Sequence, residues 1–265
     1  MSNRMPIRQS ALDSAKLLRA LKNMKLTIDV VSDVVCPWCF IGKRHLDRAL
    51  ESWREEQAAC EVTVHWRPFF LNPDTPEAGE PYRPFLEKKF GGPKQVEELW
   101  QRVGEAGRTA GIAFAFEKIE LRANTLHAHR LIHHAQSEVM YTAKPETVSL
   151  ADGAGGDPKV VQSKAIADLV EAIFAAQFLE GRHVGDRAVL ADIAAGCGME
   201  RAAALRYLES TGDVEAVRGA AAEAGRKGIN GVPFFIFNNR LAASGAQPPQ
   251  ALLQAMRQAA AAAPA

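Results

Sequence analysis

The chain is poor in cysteine, tyrosine and tryptophan, has almost no net charge and holds no long apolar run. Four cysteines in 265 residues exclude a disulfide-stapled scaffold, and a chain of this length buries a core without staples. Lysine and arginine total 32 against 31 for aspartate and glutamate, a balance of +1, so no net field draws it to nucleic acid or to an anionic surface. A membrane-spanning helix needs about 20 apolar residues; the best candidate, Ile166 to Ala176, is short and is interrupted by Asp168 and Glu171. No internal repeat is present. Residues 1–23 hold Arg4, Arg8, Lys16, Arg19 and Lys22 but lack the apolar core and cleavage site of a secretory signal. They read as an N-terminal extension, and the expectation is a soluble, cytoplasmic protein. Disorder is excluded as well, since a 47% hydrophobic and 24% charged composition is that of an ordinary globular chain.

Leu26, Ile28 and Val30 alternate with Thr27, Asp29 and Val31, the period of a strand. Leu46, Ala49, Leu50 and Trp53 then follow helix spacing, and Val62, Val64 and Trp66 return to alternation until Pro68, whose missing N–H ends the ladder. This is a β-α-β unit. The breakers Asn72, Pro73, Pro76, Gly79, Pro81 and Pro84 predict a connection leaving the sheet. Helices are expected over Lys94 to Gly107, Thr125 to Gln136, Lys164 to Leu179, Asp186 to Ala195, Met199 to Leu208 and Asp213 to Lys227. Ser137 to Gln162 reads as a surface loop. Phe234 to Phe237 and Leu241 to Ser244 read as strands about an Asn238-Asn239 turn, with a last helix from Pro248. The division expected is an extension (1–23), a first α/β part (24–80), an inserted helical domain (81–227), a second α/β part (228–258) and an alanine-rich tail (259–265).

The chemistry gathers at Cys36, Pro37, Trp38 and Cys39, between the first strand and its helix. A thiol is nucleophilic as thiolate, and a helix N-terminus offers free N–H groups and a positive dipole end that favour one. With Cys36 at the N-cap, Pro37 takes the first helical position, where its absent N–H costs nothing. The amides of Trp38 and Cys39 are then expected to point at the Cys36 sulfur. Cys39 lies one turn along, more shielded, as suits a resolving thiol. A zinc half-site is the competing reading of one CxxC, but no second Cys/His pair at ligand spacing accompanies it, and no metal is expected. Cys60 and Cys197 are isolated and read as small buried residues.

The segments SDVVCPWCFIGKRHL from Ser32, WRPFFLNP from Trp66, NTLHAHRL from Asn124, GINGVPFFIF from Gly228 and SGAQ from Ser244 resemble the DsbA-type thiol-disulfide oxidoreductases, in particular the FrnE-like subgroup. The resemblance implies a thioredoxin fold with an inserted all-helical domain, Cys36 and Cys39 as the redox pair, and Pro233 as a cis-proline facing them. It implies that the Val232 backbone is free to hydrogen-bond an extended substrate. The partners implied are cysteine-containing proteins or small thiols, with glutathione as a reductant or co-substrate and no other cofactor. Two other functions fit parts of the pattern. One is a glutathione-dependent isomerase or kappa-class-like transferase, which commonly has serine at the position of Cys36; the other is a non-catalytic peptide-binding or chaperone module.

Around this pair, Trp38 is expected to offer substrate an apolar contact. His127, His129, His133 and His134 crowd one helix and read as surface or packing residues, with His129 lining the substrate cleft. Asn124 reads as an N-cap with substrate contact as its alternative. Asp33, three residues before Cys36, reads as a turn residue, a like-charge neighbour of the thiolate or a proton relay. Phe69, Phe114 and Phe116 read as core or as walls of the cleft.

Overall fold

The computed structural model describes residues 25–58, 60–137 and 158–261, with side chains of the last segment described from residue 164. The expectations for residues 1–23, for 138–157 of the surface loop and for the end of the tail lie outside them. The chain order is β1 (Lys25–Ser32), α1 (Pro37–Glu56), β2 (Glu61–Pro68), β3 (Glu80–Pro81), α2 (Tyr82–Phe90), α3 (Pro93–Thr109) and β4 (Leu121–Arg122). It continues with α4 (Leu126–Gln136), α5 (Pro158–Ala175), α6 (Arg187–Gly196), α7 (Arg201–Glu209), α8 (Val214–Arg226), β5 (Phe234–Phe237), β6 (Leu241–Ser244) and α9 (Pro249–Ala261).

The main sheet has the order β2-β1-β5-β6. β1 runs parallel to β2, with Val30 opposite Trp66, and antiparallel to β5, with Val30 opposite Phe235. Its central place explains its burial on both faces. Asn238 and Asn239 turn β5 into β6 with φ of 49° and 54°, a left-handed pair that asparagine tolerates better than most residues. At Trp66 the outer edge of β2 is met by one side chain. Gln136, at the end of α4, accepts from Trp66 N at 2.6 Å and donates to Trp66 O at 3.0 Å, replacing the partner strand that an open edge invites.

Between β2 and β5 lie seven helices and the short β3–β4 ribbon among the described residues. This is a thioredoxin-like α/β fold with a helical insertion. The insertion shares the core of the sheet: Phe40 of α1 stacks on Phe174 of α5 at 5.1 Å, and Phe114, Phe116 and Phe178 complete the cluster. Each such ring pair adds about 0.5–1.5 kcal/mol beyond its buried area.

Three boundaries differ from the sequence expectation. The helix expected from Lys164 begins at Pro158, a residue favoured at the start of a helix, and passes at Ala176 into a π-helical turn ending at Glu180. The stretch of breakers holds α2, because Pro84 falls in its first turn, where a missing N–H breaks no bond. The last helix continues through Ala261 rather than fraying from residue 259.

Candidate active site

Cys36 occupies the N-cap of α1 with φ −99° and ψ 112°, and Pro37 follows in the first turn. Cys36 N donates to Asp33 O at 3.0 Å, while Cys36 O accepts from Cys39 N at 3.0 Å and Phe40 N at 3.3 Å. Both cysteines are free thiols, 5% and 1% exposed. The sequence expectation for the sulfur is corrected here, since no first-turn amide donates to the Cys36 side chain. The protonated thiol is itself a donor and turns instead to Val232 O, at 3.8 Å. The Val232 carbonyl, expected to be free, therefore carries this contact in the dithiol form.

The Val232-Pro233 peptide is cis, and Pro233 is buried against α1. Gly42 makes that approach possible: a Cβ there would stand 2.8 Å from Pro233 Cγ and 3.2 Å from Phe235 Cζ. The sequence reading passed over Gly42. A glycine in mid-helix, away from any cap, was the available signal.

The Cys39 thiol is hard to ionise. Burial pushes it well above the ordinary thiol range, and the adjacent Cys36 raises it further; the Asp33 backbone and the Ser32 hydroxyl oppose the shift. Cys60 and Cys197 are half-buried and are likewise raised, chiefly by burial. Burial also raises the Tyr82 hydroxyl, with a smaller raising contribution from the neighbouring Cys36. Its ring stacks on Trp100 at 6.5 Å. Neither aromatic was singled out in the sequence, where nothing links them to a motif so far upstream.

His129 is buried, and its Nε2 lies 3.2 Å from Asp33 Oδ1 and 3.1 Å from Phe69 O. Asp33 Oδ2 accepts from Leu71 N at 2.8 Å. Asn124 is not the N-cap, which is Thr125. Its Oδ1 accepts from Leu126 N at 3.0 Å and its Nδ2 donates to Thr75 O at 2.7 Å. Asn124 also lines a cavity of about 420 Å³ with Phe69, Phe70, Leu126 and Arg218. Trp38 is half-buried and packs against the main core. Phe114 and Phe116 stack in that core at 4.9 Å. His127 lies between Arg130 and Arg187, and burial lowers its basicity, while His134 stacks on Tyr207 at 3.9 Å. Among the described residues no three His, Cys, Asp or Glu side chains gather as metal ligands, and no helix is long and apolar enough to cross a membrane.

The family model described as the DSBA-like thioredoxin domain matches residues 27–150 and 160–257. No curated protein matches the chain. Among solved structures, a probable DsbA oxidoreductase from Streptomyces coelicolor aligns with a TM-score of 0.72 and 24% identity, covering 91% of this chain and 92% of that one. A 2-hydroxychromene-2-carboxylate isomerase aligns with a TM-score of 0.56 and 15% identity over 88% and 95% of the two chains. The cytosolic disulfide reductase DsbM from Pseudomonas aeruginosa with GSH aligns at 0.52 and 18% over 89% and 96%. At these identities the likeness is one of fold.

Proposed function

Because the chain belongs to the DSBA-like thioredoxin domain family, whose members are disulfide oxidoreductases, we propose that it exchanges disulfides through Cys36 and Cys39, within the FrnE-like subgroup. The observation that carries this reading is the pair of free thiols at the first turn of α1, with the nucleophile-side sulfur against the carbonyl that precedes Pro233. When the chain acts as a reductant, the Cys36 thiolate attacks a substrate disulfide and one substrate sulfur leaves. Cys39 then attacks Cys36 and frees the second. When it acts as an oxidant, the same intermediate is crossed in reverse.

Once the two cysteines are joined, Cys36 has no S–H to donate, and Val232 O is released to an extended substrate backbone. Pro233 would position that backbone, and Trp38 would add an apolar contact. A small thiol is a suitable reductant or co-substrate; the DsbM neighbour is described with GSH and as cytosolic, and we extend both to this chain as expectations. The resolving cysteine argues against the isomerase or transferase reading, in which a second protein thiol has no role.

The test is dithiol-driven insulin reduction. Cys36→Ser is expected to abolish turnover, and Cys39→Ser to accumulate mixed disulfides on non-reducing gels. Unchanged turnover in Cys36→Ser rejects the assignment, and a parent chain with no turnover above the uncatalysed rate leaves peptide binding without catalysis.

A further inference from the structure

Cys39 attacks only as a thiolate, yet burial holds its proton in place and the residue is 1% exposed, so bulk water does not reach it. The groups behind it are polar and enclosed. Ser32 is 5% exposed and its hydroxyl has no settled hydrogen-bond partner among the described residues, yet it lies near enough to the Cys39 sulfur to favour its ionised form. Ser32 and His129 line one cavity of about 10 Å³ with Val34, Trp66 and Phe174, which is room for about one water. His129 comes from α4, outside the β-α-β unit, and faces Asp33 Oδ1 and Phe69 O through the same Nε2. A ring nitrogen between two acceptors carries the hydrogen, so the neutral imidazole keeps its lone pair on Nδ1.

We propose that His129, oriented by Asp33, accepts the Cys39 proton through the Ser32 hydroxyl and one water in this cavity when Cys39 resolves the mixed disulfide on Cys36. The inference rests on the roles given above to the two cysteines. In this step the S–H proton of Cys39 passes along the relay to Nδ1 of His129, and the freed sulfur attacks Cys36 Sγ. The Cys36–Cys39 bond forms as the bond from Cys36 to the substrate sulfur breaks, and that sulfur leaves with the electron pair. Attack and resolution together oxidise the cysteine pair by two electrons and reduce both sulfurs of the substrate disulfide; in the resolving step Cys39 is oxidised and the leaving sulfur reduced, and the proton on His129 passes to solvent or to the leaving thiolate. The Asp33 carboxylate, facing Nε2–H, stabilises the imidazolium formed in between. The remaining charged or titratable groups around the cavity are Arg67 of β2, paired with Asp29 at 2.7 Å, and His133 in the next turn of α4.

A symmetric aromatic disulfide whose thiolate absorbs light separates the two steps, in a full chain with Cys60 and Cys197 replaced by serine. The first burst of chromophore reports attack by Cys36, and the second reports resolution by Cys39. His129→Gln keeps an N–H for Asp33 and Phe69 but has no basic nitrogen. It is expected to leave the first phase within about two-fold of the parent and to slow the second by about 100-fold near neutral pH, the size of a lost general base. The gap should close as pH rises and the equilibrium fraction of Cys39 thiolate grows without the relay. Ser32→Ala, which leaves the Asp33–His129 contact in place, is expected to slow the same phase. A second phase at the parent rate in both variants, or equal slowing of both phases without pH dependence, overturns the proposal. A parent chain with no second phase overturns the role of Cys39 and the relay together.

Discussion

A buried thiol that keeps its proton leaves a thermodynamic trace at the scale of one residue. An unfolded cysteine ionises near pH 8.5, whereas burial holds the folded Cys39 thiol above that range. Above about pH 8.5 the native state therefore binds more protons than the unfolded state, and stability falls as pH rises. The contribution is fully present below that pH and is lost above it, by up to about 1.4 kcal/mol per pH unit. Urea unfolding of Cys36→Ser and of Cys36→Ser/Cys39→Ala isolates the effect. Burial, the largest cause, survives the first substitution, so the stability difference between the two chains should fall steadily from about pH 8.5 towards pH 10. A difference that stays level with pH would mean that Cys39 is not held protonated by the fold.

At the scale of the element, α1 does two jobs: its first turn carries the cysteines, and Gly42 lets its side meet the loop holding Pro233. Alanine at position 42 gains about 1 kcal/mol of helix propensity but places a methyl 2.8 Å from a proline ring carbon. Overpacking of this kind costs about 1–3 kcal/mol. Gly42→Ala is therefore expected to lose about 1 kcal/mol net in urea titrations and to slow attack by Cys36, because the Val232 carbonyl shifts with the ring. A more stable variant with unaltered thiol kinetics would remove this account of Gly42. The strands were legible because β1, β2 and β5 alternate or run apolar over whole elements, and CPWC was legible because its four residues are contiguous. The ribbon β3–β4 was not, since two residues per strand make no pattern. Nor was the Asp33–His129 contact, which joins residues 96 apart from two elements that only the tertiary fold brings together.

Over the whole molecule, the sheet part and the helical insertion are tied by charge as well as by the phenylalanine cluster. Lys43 of α1 has a side chain only 5% exposed and pairs with Glu171 of α5 at 2.7 Å and with Asp47 at 2.8 Å, while Arg44 reaches Glu171 at 2.5 Å. A charge buried this deeply depends on its partners, and stranding it costs more than removing it. Glu171→Ala leaves Lys43 with Asp47 alone, which is 35% exposed, so a loss of about 1–3 kcal/mol is expected. Lys43→Met fills the same space without charge and leaves Glu171 paired with Arg44 and Asp47 in contact with solvent, so its cost should be smaller than that of Glu171→Ala. In the Lys43→Met background most of the Glu171→Ala penalty should vanish, a coupling that a double-mutant cycle reads directly. Because both parts share one core, urea should unfold them in a single transition, coincident by near- and far-ultraviolet circular dichroism. Additive single costs, or two separated transitions, would mean that the helical insertion merely rests against the sheet part instead of folding with it.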